Sequence, residues 1–346
     1  MVNSISAVAL TAVGAFAITA LLGFGIIPWL HKLKFGQTIL DIGPKWHKNK
    51  QGTPTMGGIM FITGTTVSVV IVFFIDWLLK GNIVVGDYIV PSEIITKIFA
   101  GLIMALGFGF IGFFDDFIKV VKKRNKGLSI SQKTAMQLLI TIGYLLSIYM
   151  CMSRDPIMFI PFVGSIRLGW FYWIFGICVI YGAVNAVNFT DGIDGLCSSV
   201  TITAAAALGI IAAMRSLFGV SALAAALAGA CAGFLIWNRN PAKVFMGDTG
   251  SMFLGGMVIA LAYALNCPLI LLPVGIIYVI EAMSDVIQIG YFKATHGKRI
   301  FKMAPIHHHF EMSGWKEKKI VRVFTFINIL GCLAGIALMY YGGYNI

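Results

Sequence analysis

Long apolar runs alternate with short polar segments along the whole chain. A membrane-spanning helix needs about 20 mainly apolar residues. Ten runs meet or approach this length, and they cover residues 5–30, 57–79, 97–114, 134–152, 170–188, 196–214, 221–237, 252–266, 269–289 and 322–342. The pattern predicts an all-α polytopic membrane protein with ten transmembrane helices in one domain, residues 1–346. The eighth run is short, and a tight turn near Cys267 must separate it from the ninth.

The composition agrees with a membrane protein. Of the 346 residues, 58% are hydrophobic and only 12% are charged, whereas a soluble domain has about 25% charged residues. The six cysteines form no CxxC pair and mostly lie inside apolar runs. We therefore expect neither a disulfide framework nor a zinc site.

The basic residues indicate the orientation. Of the 26 lysines and arginines, 21 fall in the segments 31–56, 115–133, 189–195, 238–251 and 290–322. The positive-inside rule places these segments in the cytoplasm, and an even number of spans then leaves both termini extracytoplasmic. This distribution explains most of the net charge of +12 by topology and attraction to anionic lipid, so no nucleic-acid partner is expected. On the outer side, the segment DPIMFIPFVGSIRLG predicts a small periplasmic β-hairpin.

Two adjacent aspartates, Asp115 and Asp116, end the third apolar run in the segment GFFDDF. Like charges repel, and a carboxylate near hydrocarbon is costly to keep ionised. A positive partner must offset this cost, and Lys119 and Lys133 follow closely. The alternative interpretation is the solvated start of a loop.

Two further polar segments belong to the same predicted face. NAVNFTDGIDGL and NRNPAKVFMGDTGS lie between spans and contribute these candidates: Asn185, Asn188, Asp191, Asp194, Asn238, Phe245 and Asp248. Each aspartate in them has an alternative interpretation as the N-cap of the helix that follows.

The last two polar segments are EAMSDVIQ and APIHHHFE. In the first, Glu281, Asp285 and Gln288 have the spacing of one helical stripe, which could also serve as a polar contact between helices. The second carries three consecutive histidines, His307, His308 and His309.

Taken together, these segments predict a phosphoryl-transfer site at the membrane surface. Five aspartates (Asp115, Asp116, Asp191, Asp194 and Asp248) converge on one face among many lysines. Oxygen ligands without cysteine suit Mg²⁺, which binds one or two carboxylates together with substrate phosphates. Lysines would hold phosphate oxygens as point charges, and such chemistry depends mainly on positioning and charge neutralisation.

At these residues the chain resembles the phospho-N-acetylmuramoyl-pentapeptide transferases of bacterial peptidoglycan synthesis. The resemblance covers nearly the whole chain and rests on five segments in the family's order, GTPTMGG (52–58), FFDDF, NAVNFTDGIDGL, VFMGDTGS and APIHHHFE. It implies a ten-helix enzyme of the bacterial cytoplasmic membrane, usually a homodimer, with an active-site cleft on the cytoplasmic face. The implied reaction joins UDP-N-acetylmuramoyl-pentapeptide to undecaprenyl phosphate and yields lipid I and UMP, with Mg²⁺ as cofactor.

The resemblance also implies a role for individual residues. Asp248 would bind Mg²⁺, with Asp115 and Asp116 around the metal and the lipid phosphate, and Lys119 and Lys133 would assist at the phosphates. The uridine end would comprise Asp194, Asn238, Phe245 and Gln288, with Phe245 stacking on the base and Lys50 nearby. Thr55 is a further substrate-binding candidate. The remaining cleft positions would be Asn185, Asn188 and Asp191, with His307, His308 and His309 facing the diphosphate or the sugar.

Two alternative functions remain at the level of sequence. A sister transferase would move N-acetylglucosamine-1-phosphate onto the same lipid, but GTPTMGG and PIHHHFE favour the muramoyl-pentapeptide branch. A transporter or channel would also place carboxylates in spans, yet the acids here gather on one side and no inverted repeat is visible. The sequence leaves open whether the lipid phosphate attacks directly, which we favour with Asp115 as its base or orienting group, or through a covalent aspartyl-phosphate.

Overall fold

The computed structural model describes residues 4–33, 50–86, 90–122, 127–152 and 154–343. Most of the first predicted cytoplasmic loop and both extreme termini lie outside these ranges. The described residues form these helices: α1 (Ser4–Lys32), α2 (Gly58–Leu78), α3 (Pro91–Val121), α4 (Ile130–Cys151), α5 (Phe171–Phe189), α6 (Leu196–Met214), α7 (Phe218–Asn238), α8 (Gly247–Ala264), α9 (Leu271–Val274), α10 (Ile276–Ala294), α11 (Ile306–Glu311) and α12 (Glu317–Tyr341). A 3₁₀ turn, Pro268–Ile270, precedes α9, and the strands are β1 (Ile157–Ile160) and β2 (Gly164–Arg167).

The protein is a multi-pass, almost entirely helical membrane protein. Within the described ranges, eight helices are long and apolar enough to cross a membrane, namely α1 to α7 and α12. A bent pair, Pro268–Val274 with α10, would make a ninth. The eighth predicted run corresponds to α8, whose first turn is polar because it contains Asp248, Thr249 and Ser251. The count of ten spans therefore stays a prediction.

The ninth predicted run, 269–289, is not one straight helix. The segment Pro268–Val274 meets α10 at an angle of 89°. Pro273 lacks a backbone N–H and so cannot donate a helical hydrogen bond, and Gly275 follows at the break with φ −113°. The hydrophobicity of the run predicted an apolar environment but did not predict this bend.

Helices α3 and α8 form the centre of the bundle. Nearly every residue of α8 is buried, and small residues bring its backbone close to α3. A Cβ atom on Gly112 of α3 would overlap the carbonyl oxygen of Asp248, and one on Gly256 would lie 2.7 Å from Cα of Ala105. Close approach through small residues is the usual way in which helices pack inside a membrane. It places the end of α3 directly against the start of α8.

The segment around Val163 forms a two-stranded antiparallel sheet, in which Ile157 pairs with Arg167 and Ile160 with Gly164. The amide of Phe159 donates to the carbonyl oxygen of Asn266 over 2.7 Å, so the hairpin contacts the C-terminal end of α8. It therefore lies at the end of the bundle opposite to Asp248. Its location on the periplasmic side stays a prediction.

Candidate active site

The polar loops predicted to be cytoplasmic meet at one end of the bundle. Lys50 contacts Asp194, and Asp116 accepts hydrogen bonds from Thr249. These contacts join segments separated by more than a hundred residues along the chain. The fold therefore brings these distant polar segments together into one region.

Three carboxylates form the centre of this region. Asp115 and Asp116 lie near the end of α3 and Asp248 lies in the first turn of α8, and ligand atoms of the three lie within 4.8 Å of one another. Asp116 is buried and accepts hydrogen bonds from the backbone N and the Oγ1 of Thr249, at 2.9 and 2.8 Å. The close crossing at Gly112 explains why these two helix ends meet. We call Asp115, Asp116 and Asp248 the carboxylate triad.

Two lysines neutralise part of the triad. Lys119 Nζ lies 2.5 Å from Asp115 Oδ2 and 3.1 Å from Asp248 Oδ2, and Lys133 Nζ lies 2.9 Å from the same Asp248 oxygen. The backbone N of Leu128 donates to Asp115 Oδ1 over 2.8 Å. Three carboxylates thus face two ammonium groups, and the lysines already lie where they could contact phosphate oxygens.

The two candidate asparagines of α5 make different contacts. Asn188 Nδ2 donates to Asp248 Oδ1 over 3.0 Å and to Ser251 Oγ over 2.7 Å, so this side chain belongs to the triad's surroundings. Asn185 Nδ2 donates instead to Gln137 Oε1 of α4 over 3.1 Å. The amide nitrogen of Asn185 is thus engaged between helices, and its role in substrate binding stays a prediction.

Asp191 lies in the loop 190–195 between α5 and α6 and reports the electrostatics of the region. Burial, together with the nearby charges of Asp248 and Asp116, raises its pKa from 3.8 to about 8. A carboxyl group resists ionisation when its surroundings are poorly solvated and already negative. Burial is the larger cause of the raised pKa of Asp191, and the neighbouring carboxylates add to it.

A second polar group surrounds Lys50. Its Nζ lies 2.7 Å from Asp194 Oδ1 and 2.7 Å from Glu317 Oε1, and Asn240 Nδ2 donates to Asp194 Oδ2 over 3.1 Å. Burial lowers the pKa of Lys50, but the hydrogen bonds and charges of Asp194 and Glu317 outweigh this effect and raise it overall. Sequence reasoning missed Glu317, because it stands beside lysines at the start of α12 and looks like a solvated helix end.

The remaining candidates from the third polar segment hold the loops in place. Asn238 is buried, its Oδ1 accepts from the backbone N of Gly195 over 3.1 Å, and its Nδ2 donates to the carbonyl of Val244 over 2.9 Å. The half-buried Phe245 donates its backbone N–H to the carbonyl of Pro54 over 2.8 Å. Thr55, which follows Pro54 in the chain, is buried. Its segment GTPTMGG thus fixes the loop that precedes Asp248.

Gln288 braces a loop on α10. Its Oε1 accepts from the backbone N of Ile300 and of Phe301, at 3.1 and 3.0 Å, and its Nε2 donates to the carbonyl of Phe301 over 3.0 Å. These bonds engage both of its polar atoms with the segment that precedes α11. Contact between Gln288 and a uridine stays a prediction.

The three histidines have three different partners. His307 is fully buried, and its Nδ1 lies 3.0 Å from Glu281 Oε2. His308 Nδ1 lies 2.6 Å from Glu311 Oε2, whereas His309 Nδ1 accepts from the backbone N of Lys302 over 3.1 Å. The orientation of the three histidines towards the diphosphate or the sugar stays a prediction.

Comparison with known proteins identifies the class and then the family. The model of glycosyl transferase family 4 matches residues 98–266, which include the triad, so the fold and the site define a polytopic membrane transferase. The first signature of phospho-N-acetylmuramoyl-pentapeptide-transferase matches residues 50–62.

Relatives with the same name cover nearly the whole chain. The phospho-N-acetylmuramoyl-pentapeptide-transferase of Acetivibrio thermocellus is 46% identical over 93% of this chain and 92% of its own length. That of Clostridium perfringens strain 13 is 45% identical over 93% and 96%, and that of Listeria monocytogenes strain EGD-e is 43% identical over 94% and 96%. The chain belongs to the phospho-N-acetylmuramoyl-pentapeptide-transferase family.

Proposed function

We propose that this enzyme transfers phospho-N-acetylmuramoyl-pentapeptide from UDP-N-acetylmuramoyl-pentapeptide to undecaprenyl phosphate, giving lipid I and UMP. The observation that carries the proposal is the carboxylate triad with Lys119 and Lys133 at one end of a membrane bundle, in a chain with the family's signature at residues 50–62. Anionic phosphates from both a lipid and a nucleotide require such a mixture of positive charge and cation-binding oxygens.

The reaction needs positioning more than a strong base. An oxygen of the lipid phosphate forms a bond to the sugar-proximal phosphorus of the nucleotide, and the bond from that phosphorus to the bridging oxygen breaks, so UMP leaves with that oxygen. A phosphate monoester is largely ionised near neutral pH because its second pKa is about 6. Asp115 would therefore mainly orient the lipid phosphate, and Lys119 and Lys133 would hold phosphate oxygens after exchanging contacts with Asp248.

The triad fits a magnesium ion. It offers only carboxylate oxygens, within 4.8 Å of one another, and hard oxygen ligands are those that Mg²⁺ prefers. Asp115, Asp116 and Asp248 would hold the ion, which would supply neutralisation of phosphate charge.

The nucleotide would lie next to the group around Lys50. Phe245 is half-buried and follows the loop tied to Pro54, so one face of its ring could stack on uracil. Asp194 and Asn238 would shape this end through the loop contacts described above. Lys50 would then exchange part of its contact with the carboxylates for substrate.

The membrane context completes the proposal. The positive-inside rule places the triad's end in the cytoplasm, where a UDP-linked precursor is available, and the enzyme would function in the bacterial cytoplasmic membrane with both termini outside. Homodimer formation is part of the same proposal and rests on the family resemblance alone.

The proposal is tested by formation of lipid I by the purified protein in detergent with undecaprenyl phosphate and Mg²⁺. UDP-N-acetylmuramoyl-pentapeptide should be converted and UDP-N-acetylglucosamine should not, and EDTA should stop the reaction reversibly. Conversion of UDP-N-acetylglucosamine alone would assign the chain to the sister reaction. Undiminished turnover in EDTA would remove the metal from the proposal.

A further inference from the structure

A buried acid–histidine pair lies outside the triad and has no part in the reaction described so far. Glu281 of α10 and His307 of α11 both have fully buried side chains. His307 Nδ1 lies 3.0 Å from Glu281 Oε2, and the backbone N of His307 lies 3.4 Å from the same oxygen. Burial of a carboxyl group inside a membrane bundle is costly and is usually linked to function.

This contact sets the tautomer of the ring. Glu281 Oε2 also accepts from the backbone N of His307, and a carboxylate oxygen accepts hydrogen bonds, so we assign the proton of the shared contact to Nδ1. The opposite nitrogen, Nε2, then points away from Glu281. In many sites the hydrogen bond at one ring nitrogen decides in this way what the other nitrogen offers.

Nε2 of His307 lies against the loop 190–195. A Cβ atom at Gly192 would overlap Nε2, so only glycine permits this contact. Gly192 lies between two site candidates in the sequence: it follows Asp191 directly and precedes Asp194 by two residues. The ring nitrogen is thus aimed at the loop that borders the triad.

Two polar atoms of the pair have no hydrogen-bond partner among the residues that the structure describes. They are His307 Nε2 and Glu281 Oε1. Buried polar atoms almost always have a partner in a protein or in ordered water. Nε2 is covered by the backbone at Gly192, so a substrate group becomes its partner when the loop 190–195 shifts on substrate binding.

We propose that Glu281 is a positioning residue, which holds His307 as the Nδ1–H tautomer and presents Nε2 to a polar group of the nucleotide-sugar substrate beside Gly192. The assignment rests on the proposed function, since it names the substrate of that reaction as the occupant. It gives the stripe of Glu281, Asp285 and Gln288 two functions, because Gln288 braces the segment before α11 while Glu281 orients a residue within α11.

The first test is a pair of substitutions with a matched control. Glu281→Gln keeps the shape but can pair with either tautomer, so kcat/KM should fall about 10- to 100-fold, the size of the loss when a residue that orients a metal-binding histidine is changed. Glu281→Asp keeps the carboxylate and should lose less than Glu281→Gln. Ser284→Ala removes a hydroxyl that, within the described residues, donates to the backbone oxygen of Glu281, and it should leave turnover near wild type.

The second test asks whether Glu281 acts through His307. In a His307→Ala background, Glu281→Gln should cause no further loss, because the ring that it positions is gone. Full additivity of the two losses would overturn the proposal and leave Glu281 with a merely structural role. Melting temperatures of the single and double variants separate loss of fold from loss of positioning.

The third test does not depend on activity. Imidazole ¹⁵N NMR of the wild-type protein, with His307 assigned by its absence in His307→Ala, should show a protonated Nδ1. Glu281→Gln, or Glu281→Asp if the first variant does not fold, should shift the signal towards a tautomer mixture. A wild-type ring protonated only at Nε2 would refute the proposal even if lipid I is formed. If no lipid I forms while Nδ1 is protonated as expected, the proposed function fails and the positioning by Glu281 stands.

Discussion

The two ends of the α3–α8 pair both place charged side chains inside an apolar bundle, but they pair these charges differently. At one end, Lys97 of α3 bonds to Glu93 and to Asn266 Oδ1 beyond α8, the latter over 2.6 Å. At the other end, Asp115 of the same helix meets Asp248. Lys97 and Asp115 are separated by 18 residues, or about 27 Å along a helix. Each end therefore joins α3 to α8 through polar side chains inside an apolar bundle.

The difference between the two ends lies in charge balance and access. The Lys97 side chain is fully buried and bonds to the carboxylate of Glu93 and to the amide of Asn266. The triad end has three carboxylates for two lysines, and Lys119 and Asp248 are 34% and 22% exposed. A closed and balanced group serves structure, whereas an accessible group with excess acid has capacity for a cation and for phosphate. The substitutions below test this distinction, from the largest expected effect to the smallest.

Asp248→Asn and Asp115→Asn should each reduce lipid I formation by about 1,000-fold or more, because each removes a charge that the reaction needs in a preorganised site. The protein should remain extractable and monodisperse, since the amide keeps the shape of the side chain. Turnover at the wild-type rate in either variant would remove that residue from the mechanism.

Lys97→Met should have the opposite profile. The substitution takes a buried ammonium group away from Glu93 and Asn266. Removing one partner of a buried pair costs about 3–5 kcal/mol, so the melting temperature should fall markedly. Activity per folded molecule should change little, because Lys97 lies far from the triad. Lys122→Met, at the exposed end of α3, is the control and should melt like wild type. A large loss of turnover without a loss of stability would contradict the structural role.

Phe245→Ala should weaken binding of UDP-sugar by about 1–3 kcal/mol, the contribution of one stacked base. Calorimetric titration with the nucleotide substrate measures it directly. Phe292→Ala, at an exposed position of α10, should bind normally. Equal affinities for Phe245→Ala and wild type would refute stacking.

Asp191→Asn should alter the pH dependence of stability and little else in the absence of ligand. The pKa of Asp191 rises from 3.8 to about 8 in the folded protein, so the folded state binds a proton that the unfolded state releases. The cost of the carboxyl group therefore grows as pH rises from about 4 to about 8 and is constant above that. Melting temperatures measured in EDTA should fall less across this window for Asp191→Asn than for wild type. Identical profiles for the two proteins would show that the pKa of Asp191 is not raised in the folded state.

Much of the fold follows from the sequence because lipid-facing helices need continuous apolar runs. The sixth run, 196–214, matches α6 at both ends, and the eighth run corresponds to α8, a helix of 18 residues. The bend before α10 was missed, since hydrophobicity alone does not distinguish a straight span from a broken one. Its local signals were Pro273 and Gly275.

The site was predictable where acids interrupt apolar runs and obscure where they do not. Asp115 and Asp116 were conspicuous because charge is rare near hydrocarbon. Glu317 was not, because it stands among lysines in the predicted loop 290–322 and its partner Lys50 is 267 residues away. Contacts between residues so far apart in the chain depend on how the helices pack, and a single sequence does not show them.

The most direct test of the account is release of UMP from UDP-N-acetylmuramoyl-pentapeptide by purified protein at millimolar Mg²⁺, with and without undecaprenyl phosphate. The account predicts release that depends on the lipid and disappears in Asp248→Asn. Release without lipid would contradict direct attack by the lipid phosphate and point to a covalent intermediate or hydrolysis. Absence of release in the presence of both substrates would contradict the account as a whole.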